Sequence, residues 1–154
     1  MMLIRAYQPE DVPQIVQIFY NTIHRVNCRD YSEAQLNAWA PAVPDAEQWI
    51  RRYDTRRCFI ADQEGVITGF AELEDNGHID CFYCHHECQR QGVGRRLYER
   101  IEEEGRLLQL NHLFVEVSIT ARPFFERMGF HILHENQIVR ENVLITNFSM
   151  EKHI

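Results

Sequence analysis

The segment Gln89-Arg90-Gln91-Gly92-Val93-Gly94-Arg95-Arg96 carries the clearest chemistry in the chain. It joins a strand-like stretch to a helix-like one, so successive backbone N–H groups and a helix N-terminus converge where an anion can bind. Gly92 and Gly94 permit close approach to the backbone. A Walker loop would carry Lys and then Ser or Thr after its last glycine, whereas Arg95-Arg96 stand there, and no G-x-G-x-x-G occurs. Nucleoside triphosphate hydrolysis is therefore disfavoured. So short a motif is also compatible with a tight turn that binds nothing, and its context has to decide.

Just upstream, His78-x-x-Cys81-x-x-Cys84-His85-His86-x-Cys88 gathers thiols and imidazoles over eleven residues and invites a zinc reading. On a strand, Cys81 and Cys84 point to opposite faces, which prevents tetrahedral closure without a bulge. The expectation is small buried thiols and no metal. The five cysteines (Cys28, Cys58, Cys81, Cys84, Cys88) are an odd number. They read as reduced thiols in a cytoplasmic protein, with a redox role left open.

Regular elements must hold these groups in place. Met2 to Tyr7 reads as a strand, and Pro9-Glu10-Asp11 starts a helix whose apolar stripe (Val12, Ile15, Val16, Ile18, Phe19, Ile23, Val26) runs to about Val26. Ser32 caps a short helix over Glu33 to Trp39, and Asp45 to Tyr53 reads as another; with their aromatics exposed, the two suggest a lid. Cys58 to Asp62 and Val66 to Glu74 form a hairpin, and Asn76-Gly77 turns into a strand over His78 to Cys84. The glycine loop then opens a helix to about Leu108. A strand over Leu113 to Ser118, a helix over Ala121 to Met128, and strands over Phe130 to Val139 and Val143 to Met150 follow. The order β-α-α-α-β-β-β-α-β-α-β-β lacks strict βαβ alternation and predicts an α+β mixed sheet flanked by helices in a single domain over residues 1–154.

With 154 residues, 45% hydrophobic and 25% charged, the chain has the composition of a soluble globular domain. Its formal charge of −7 provides no basic field for nucleic acid or an anionic membrane, so an anionic ligand must find a local site. No apolar run approaches a membrane span, and Met1 to Pro9 lacks the pattern of an export signal.

Gln89-x-x-Gly92-x-Gly94 resembles the acetyl-coenzyme A (acetyl-CoA) loop of the GNAT superfamily, the GCN5-related N-acetyltransferases. Ile79 to Cys88 resembles the family stretch that precedes this loop, with Cys84, His86 and Cys88 in place of its common Val, Pro and Tyr. Ala121-Arg122-Pro123-Phe124-Phe125-Glu126-Arg127-Met128-Gly129-Phe130 resembles the second signature, A-x-x-F-Y-x-x-x-G-F. Tyr31-Ser32-x-x-Gln35, Ala38-Trp39-Ala40, Ser118-x-Thr120-Ala121-x-Pro123 and Asn147-Phe148-x-Met150 resemble a bacterial branch, the YafP-like acetyltransferases. The resemblance covers nearly the whole chain.

It implies a splayed mixed sheet holding acetyl-CoA as co-substrate, with Phe82, Tyr83 and Cys84 along the pantetheine and Gln89, Arg90, Gln91, Gly92, Val93, Gly94 and Arg95 around the pyrophosphate. Ser118, where relatives carry a cofactor-binding Asn, and Phe125 complete that set. The implied reaction moves acetyl to a primary amine of a small molecule by direct attack, and needs a base for the amine proton. Asp80 is the first candidate and His78 the next, with alternation placing His78 and Phe82 on Asp80's face. Phe125 stands where the family carries its Tyr acid, so Tyr83, Tyr31 or Ser118 could protonate the thiolate, or it leaves unassisted. Tyr31, Trp39, Glu72 and Asp80 are expected at the acceptor pocket. A homodimer stays open. The alternative is a module that binds acyl-CoA as a sensed ligand with weak or no catalysis.

Overall fold

A computed structural model describes all residues, Met1–Ile154. One seven-stranded sheet runs in the order β1-β2-β3-β4-β5-β7-β6, where β1 is Met2–Ala6, β2 Arg56–Gln63, β3 Val66–Glu74, β4 His78–Cys84, β5 His112–Ser118, β6 His131–Arg140 and β7 Val143–His153. Every neighbouring pair is antiparallel except β4 and β5, which are parallel and joined by the helix α4 (Val93–Leu107). The other helices are α1 (Val12–Arg25), α2 (Glu33–Trp39), α3 (Ala46–Ile50) and α5 (Arg122–Arg127). The chain thus has the mixed α+β architecture and element order that its patterning predicts.

Local chemistry explains the boundaries. A turn over Pro9–Asp11 precedes α1, and Asp11 accepts the Gln8 N–H and pairs with Arg5, which also holds Asp62, locking the start of the helix to β1 and β2. The α1 stripe Val12, Ile15, Val16 and Ile18 is buried against Ile60, Ile67 and Phe70 on one sheet face. A Ser32/Gln35 capping box starts α2. On the opposite face, Leu97 and Ile101 of α4 and Phe125 of α5 bury against Leu73, Ile79, Leu113, Val115 and Met150. No helix is long and apolar enough to cross a membrane.

Two expectations need correction. The helix expected over Asp45 to Tyr53 is regular only through Ile50; Arg51–Asp54 tightens into a 3-10 turn, drawing Arg52 and Tyr53 toward the sheet. The aromatics of the two short helices, read as an exposed lid, are packed: Trp49 is 8% exposed in the gap between α1 and the sheet, and Trp39 and Tyr53 are half-buried.

The sheet opens between β4 and β5. Their pairing covers only His78 with Phe114 and Ile79 with Val115. On its other side β4 carries a bulge, with Leu73 opposite Ile79 but Ala71 opposite Phe82, so three steps of β4 match two of β3. Past that point the strands diverge, and a cleft of about 1410 Å³ occupies the gap.

Candidate active site

At one end of the cleft lies the glycine loop. Arg90 and Gly92 both have left-handed backbones (φ 61° and 83°), which curls the loop into a concave turn before α4. The backbone N–H groups of Gly92, Val93, Gly94 and Arg95 find no acceptor in the protein, as expected of the first turn of a helix. A Cβ on Gly92 would meet nothing within 4 Å, whereas one on Gly94 would sit 3.0 Å from the Phe124 ring, so Gly94 is needed for packing against α5. Gln89 Nε2 donates to the carbonyl oxygens of Cys84 and His85 at 2.9 and 3.3 Å, pinning the loop to the end of β4. Thr22 on α1 donates to the same Cys84 oxygen at 2.8 Å. Arg25, Arg29 and Arg90 border a smaller adjoining cavity of about 220 Å³, and Arg95 borders the main cleft. The loop thus has a local positive environment in a chain of net charge −7.

Phe82, Tyr83, Cys84, Gln89, Arg90, Gly92, Gly94, Arg95, Ser118 and Phe125 all border the cleft. Gln91 and Val93 do not; the Val93 side chain is 1% exposed within the core, so it can offer a ligand only its N–H. Phe125 is 2% exposed and packs edge-on against Phe82, Phe124 and Phe130.

The other end of the cleft is built on charge. Asp80 Oδ2 accepts from Arg52 Nη2 at 3.0 Å and from Arg56 Nη1, while Oδ1 has no hydrogen-bond partner. Arg52 Nη2 also donates to Glu72 Oε1 at 2.7 Å and touches Cys81 Sγ at 3.3 Å, and its guanidinium lies 4.4 Å from the Trp49 ring centroid. Glu72 is fully buried and accepts from Tyr53 as well, and Tyr53 in turn accepts the Trp49 indole N–H. The expectation that Glu72 meets the acceptor fails: two arginines and a phenol enclose it, and its work is to hold Arg52. Sequence reading missed Arg52 and Arg56. Arg51-Arg52 and Arg56-Arg57 look like solvated surface charge, and the only signal was a buried acidic partner on a strand 20 residues away from Arg52.

Asp80's face also differs from expectation. The bulge turns Asp80 and Cys81 together toward Arg52, whereas Ile79 and Phe82 face the α4 side, so strict alternation does not carry through these four residues. His78 lies between Glu74 (2.6 Å) and Glu116 (2.8 Å). The Glu116 hydrogen bond, opposed by burial and reinforced by Glu74, raises its pKa to about 9, so the imidazole is protonated and both nitrogens are donors at neutral pH. Tyr31 donates to the Thr146 carbonyl (2.6 Å) and accepts the Ile119 N–H (2.9 Å), joining the segment before α2 to β7 and to the residue after β5. Ser118 Oγ accepts the Ala121 N–H. Tyr83 borders the cleft, packed against Phe19 and Phe70, and burial pushes its phenol well above the ordinary value, so it stays protonated. Trp39 closes this side, stacking edge-on against Tyr31.

The thiols do not converge. Cys81 packs with the α1 side and Cys84 and Cys88 with the α4 side, and burial raises Cys84 to about 12.

Residues 27–152 match the model of the acetyltransferase (GNAT) domain family. The uncharacterized N-acetyltransferase YafP of Escherichia coli (strain K12) is 30% identical over 147 residues, 96% of this chain and 93% of that protein. A GCN5-related N-acetyltransferase from Rhodopseudomonas palustris superimposes with a TM-score of 0.92 at 31% identity, covering 99% of this chain and 95% of that one. The paia N-acetyltransferase of Thermoplasma acidophilum, solved with coenzyme A, shares the fold at TM-score 0.80 and 17% identity, covering 100% of this chain and 99% of its own. A splayed β4/β5 sheet, a loop of unpaired N–H groups opening α4, and these matches together place the chain in the GNAT acetyltransferase family.

Proposed function

We propose that the protein is an acetyl-CoA-dependent N-acetyltransferase that acetylates a primary amine of a small molecule by direct attack. The observation that carries this reading is the run of four partnerless N–H groups from Gly92 to Arg95, at the mouth of a cleft between diverging strands. A pyrophosphate suits such a cradle, and Arg25, Arg29 and Arg90 stand close enough to serve further phosphate charge. The splayed strand edges suit an extended amide-bearing arm. Acetyl-CoA supplies the activated acetyl group.

Asp80, which borders the cleft and whose Oδ1 has no protein partner, holds the acceptor's ammonium and receives its proton, leaving a neutral amine to attack. A nitrogen–carbon bond forms, the carbon–sulfur bond breaks, and the departing thiolate accepts a hydrogen bond from Tyr83, whose phenol is kept protonated by burial, before taking its proton from solvent. Tyr31 already donates its hydroxyl proton to a backbone carbonyl, which favours Tyr83 as the thiolate's donor, and His78 is already protonated, which favours Asp80 as the base. The sealed position of Phe125 favours one second reading, a module that binds acyl-CoA without efficient transfer. Thiol release from acetyl-CoA with a panel of primary amines separates them: acceptor-dependent turnover supports the enzyme, and tight binding with no turnover on any amine supports the sensor.

A further inference from the structure

We infer that the acceptor is an α-amino acid with an apolar or aromatic side chain, read through its carboxylate by Arg52; the inference rests on the acetyltransferase reading and deepens it. At the acceptor end of the cleft, one 3.0 Å contact joins Arg52 Nη2 to Asp80 Oδ2. The outer atoms of both groups are left over: Arg52 Nη1 and Asp80 Oδ1 make no hydrogen bond in the protein, neither is a buried orphan, and both residues border the cleft. One free guanidinium nitrogen and one free carboxylate oxygen are therefore offered by a pair in direct contact. An α-amino acid carries the complement on one carbon, an ammonium for Oδ1 and a carboxylate for Nη1.

Charge balance selects the same class. Arg52 and Arg56 are offset by Glu72 and Asp80, so the network is neutral and favours neither a polycation nor a polyanion. A zwitterion docks without disturbing that balance. Glu72, itself held by Tyr53, keeps Arg52 from swinging out, and Trp49 lies against its guanidinium, so Nη1 is held in place before the ligand arrives. Beyond it, Phe19, Trp49, Tyr83 and Trp39 supply an aromatic wall, with Phe19 5.1 Å from Trp49 and 5.3 Å from Tyr83 between ring centroids. Such a wall takes an apolar side chain more readily than a charged one.

The test is thiol release from acetyl-CoA with matched pairs differing only in the carboxylate: phenylalanine and phenethylamine, tryptophan and tryptamine, leucine and isoamylamine. In the wild-type protein each amino acid is expected to exceed its decarboxylated partner in kcat/KM by about 10-fold or more. In Arg52→Lys, which keeps a cation beside buried Glu72 and so protects the fold, that ratio should fall about 10-fold, toward parity, chiefly through KM of the amino acid. The wild-type pairs decide the matter even if the variant misfolds. Amines acetylated as well as their amino acids, or a ratio unmoved in a folded Arg52→Lys, would overturn the inference and leave the acetyltransferase reading standing. Absence of turnover with every amino acid overturns it too, and the acetyltransferase reading falls with it only if no carboxylate-free amine is acetylated either.

Discussion

Asp80 gives one oxygen to two guanidiniums and leaves the other without a partner in a residue that borders the cleft, which would divide its work between holding the network and meeting the acceptor. Asp80→Asn keeps the shape but removes the charge that binds an ammonium and takes its proton. We expect kcat to fall on the order of 10²–10⁴-fold while the acetyl-CoA dissociation constant holds, read by steady-state kinetics and calorimetry. Wild-type turnover in that variant would hand the proton to water, since His78 at about pKa 9 is already charged. Tyr83→Phe removes a donor whose leaving group is only modestly basic, so kcat should fall by less than in Asp80→Asn. Full activity in Tyr83→Phe would mean the thiolate leaves unassisted.

Element ends rather than element middles build the site. The loop from Gln89 to Gly92 curls because Arg90 and Gly92 take left-handed backbones, and it presents its N–H groups because α4 starts at Val93. Gly92→Asp places a carboxylate in that cradle with no protein atom within 4 Å of its Cβ, at a φ of +83° that strains any L side chain. Acetyl-CoA affinity should drop about 100-fold in a protein that still folds, its thermal transition lowered by the strained backbone, and undiminished calorimetric affinity would refute the loop assignment. Gly77 does a different job. Its φ is +98°, a Cβ there would lie 2.4 Å from the His112 carbonyl oxygen, and its own carbonyl accepts the Phe114 N–H. Gly77→Ala should therefore push β4 from β5 at the one place they pair and cost on the order of 3 kcal/mol in urea denaturation.

Across the whole molecule, the sheet is a wedge closed at one end and open at the other. His78 belongs to the closed end, tying Glu74 on β3 and Glu116 on β5 to β4. Because its folded pKa of about 9 exceeds the unfolded value of about 6.5, its contribution is complete below about pH 6.5 and is lost as pH rises through 9. Stability should decline over that window, and His78→Gln should flatten the decline; a wild-type midpoint that holds constant from pH 6.5 to above 9 would contradict the assignment. By itself, the sequence determined whatever depends on near neighbours. Apolar periodicity set the order of helices and strands, Ser32 and Gln35 capped α2, and Gly92 and Gly94 marked the loop, because spacing and local backbone preference suffice for each. Tertiary structure alone decided the acceptor end. Whether Arg52 is a surface charge or the partner of Glu72 depends on a 3-10 turn that aims it inward. Which side Asp80 faces depends on one bulged residue, since a strand's two-residue period turns a single insertion into a change of face.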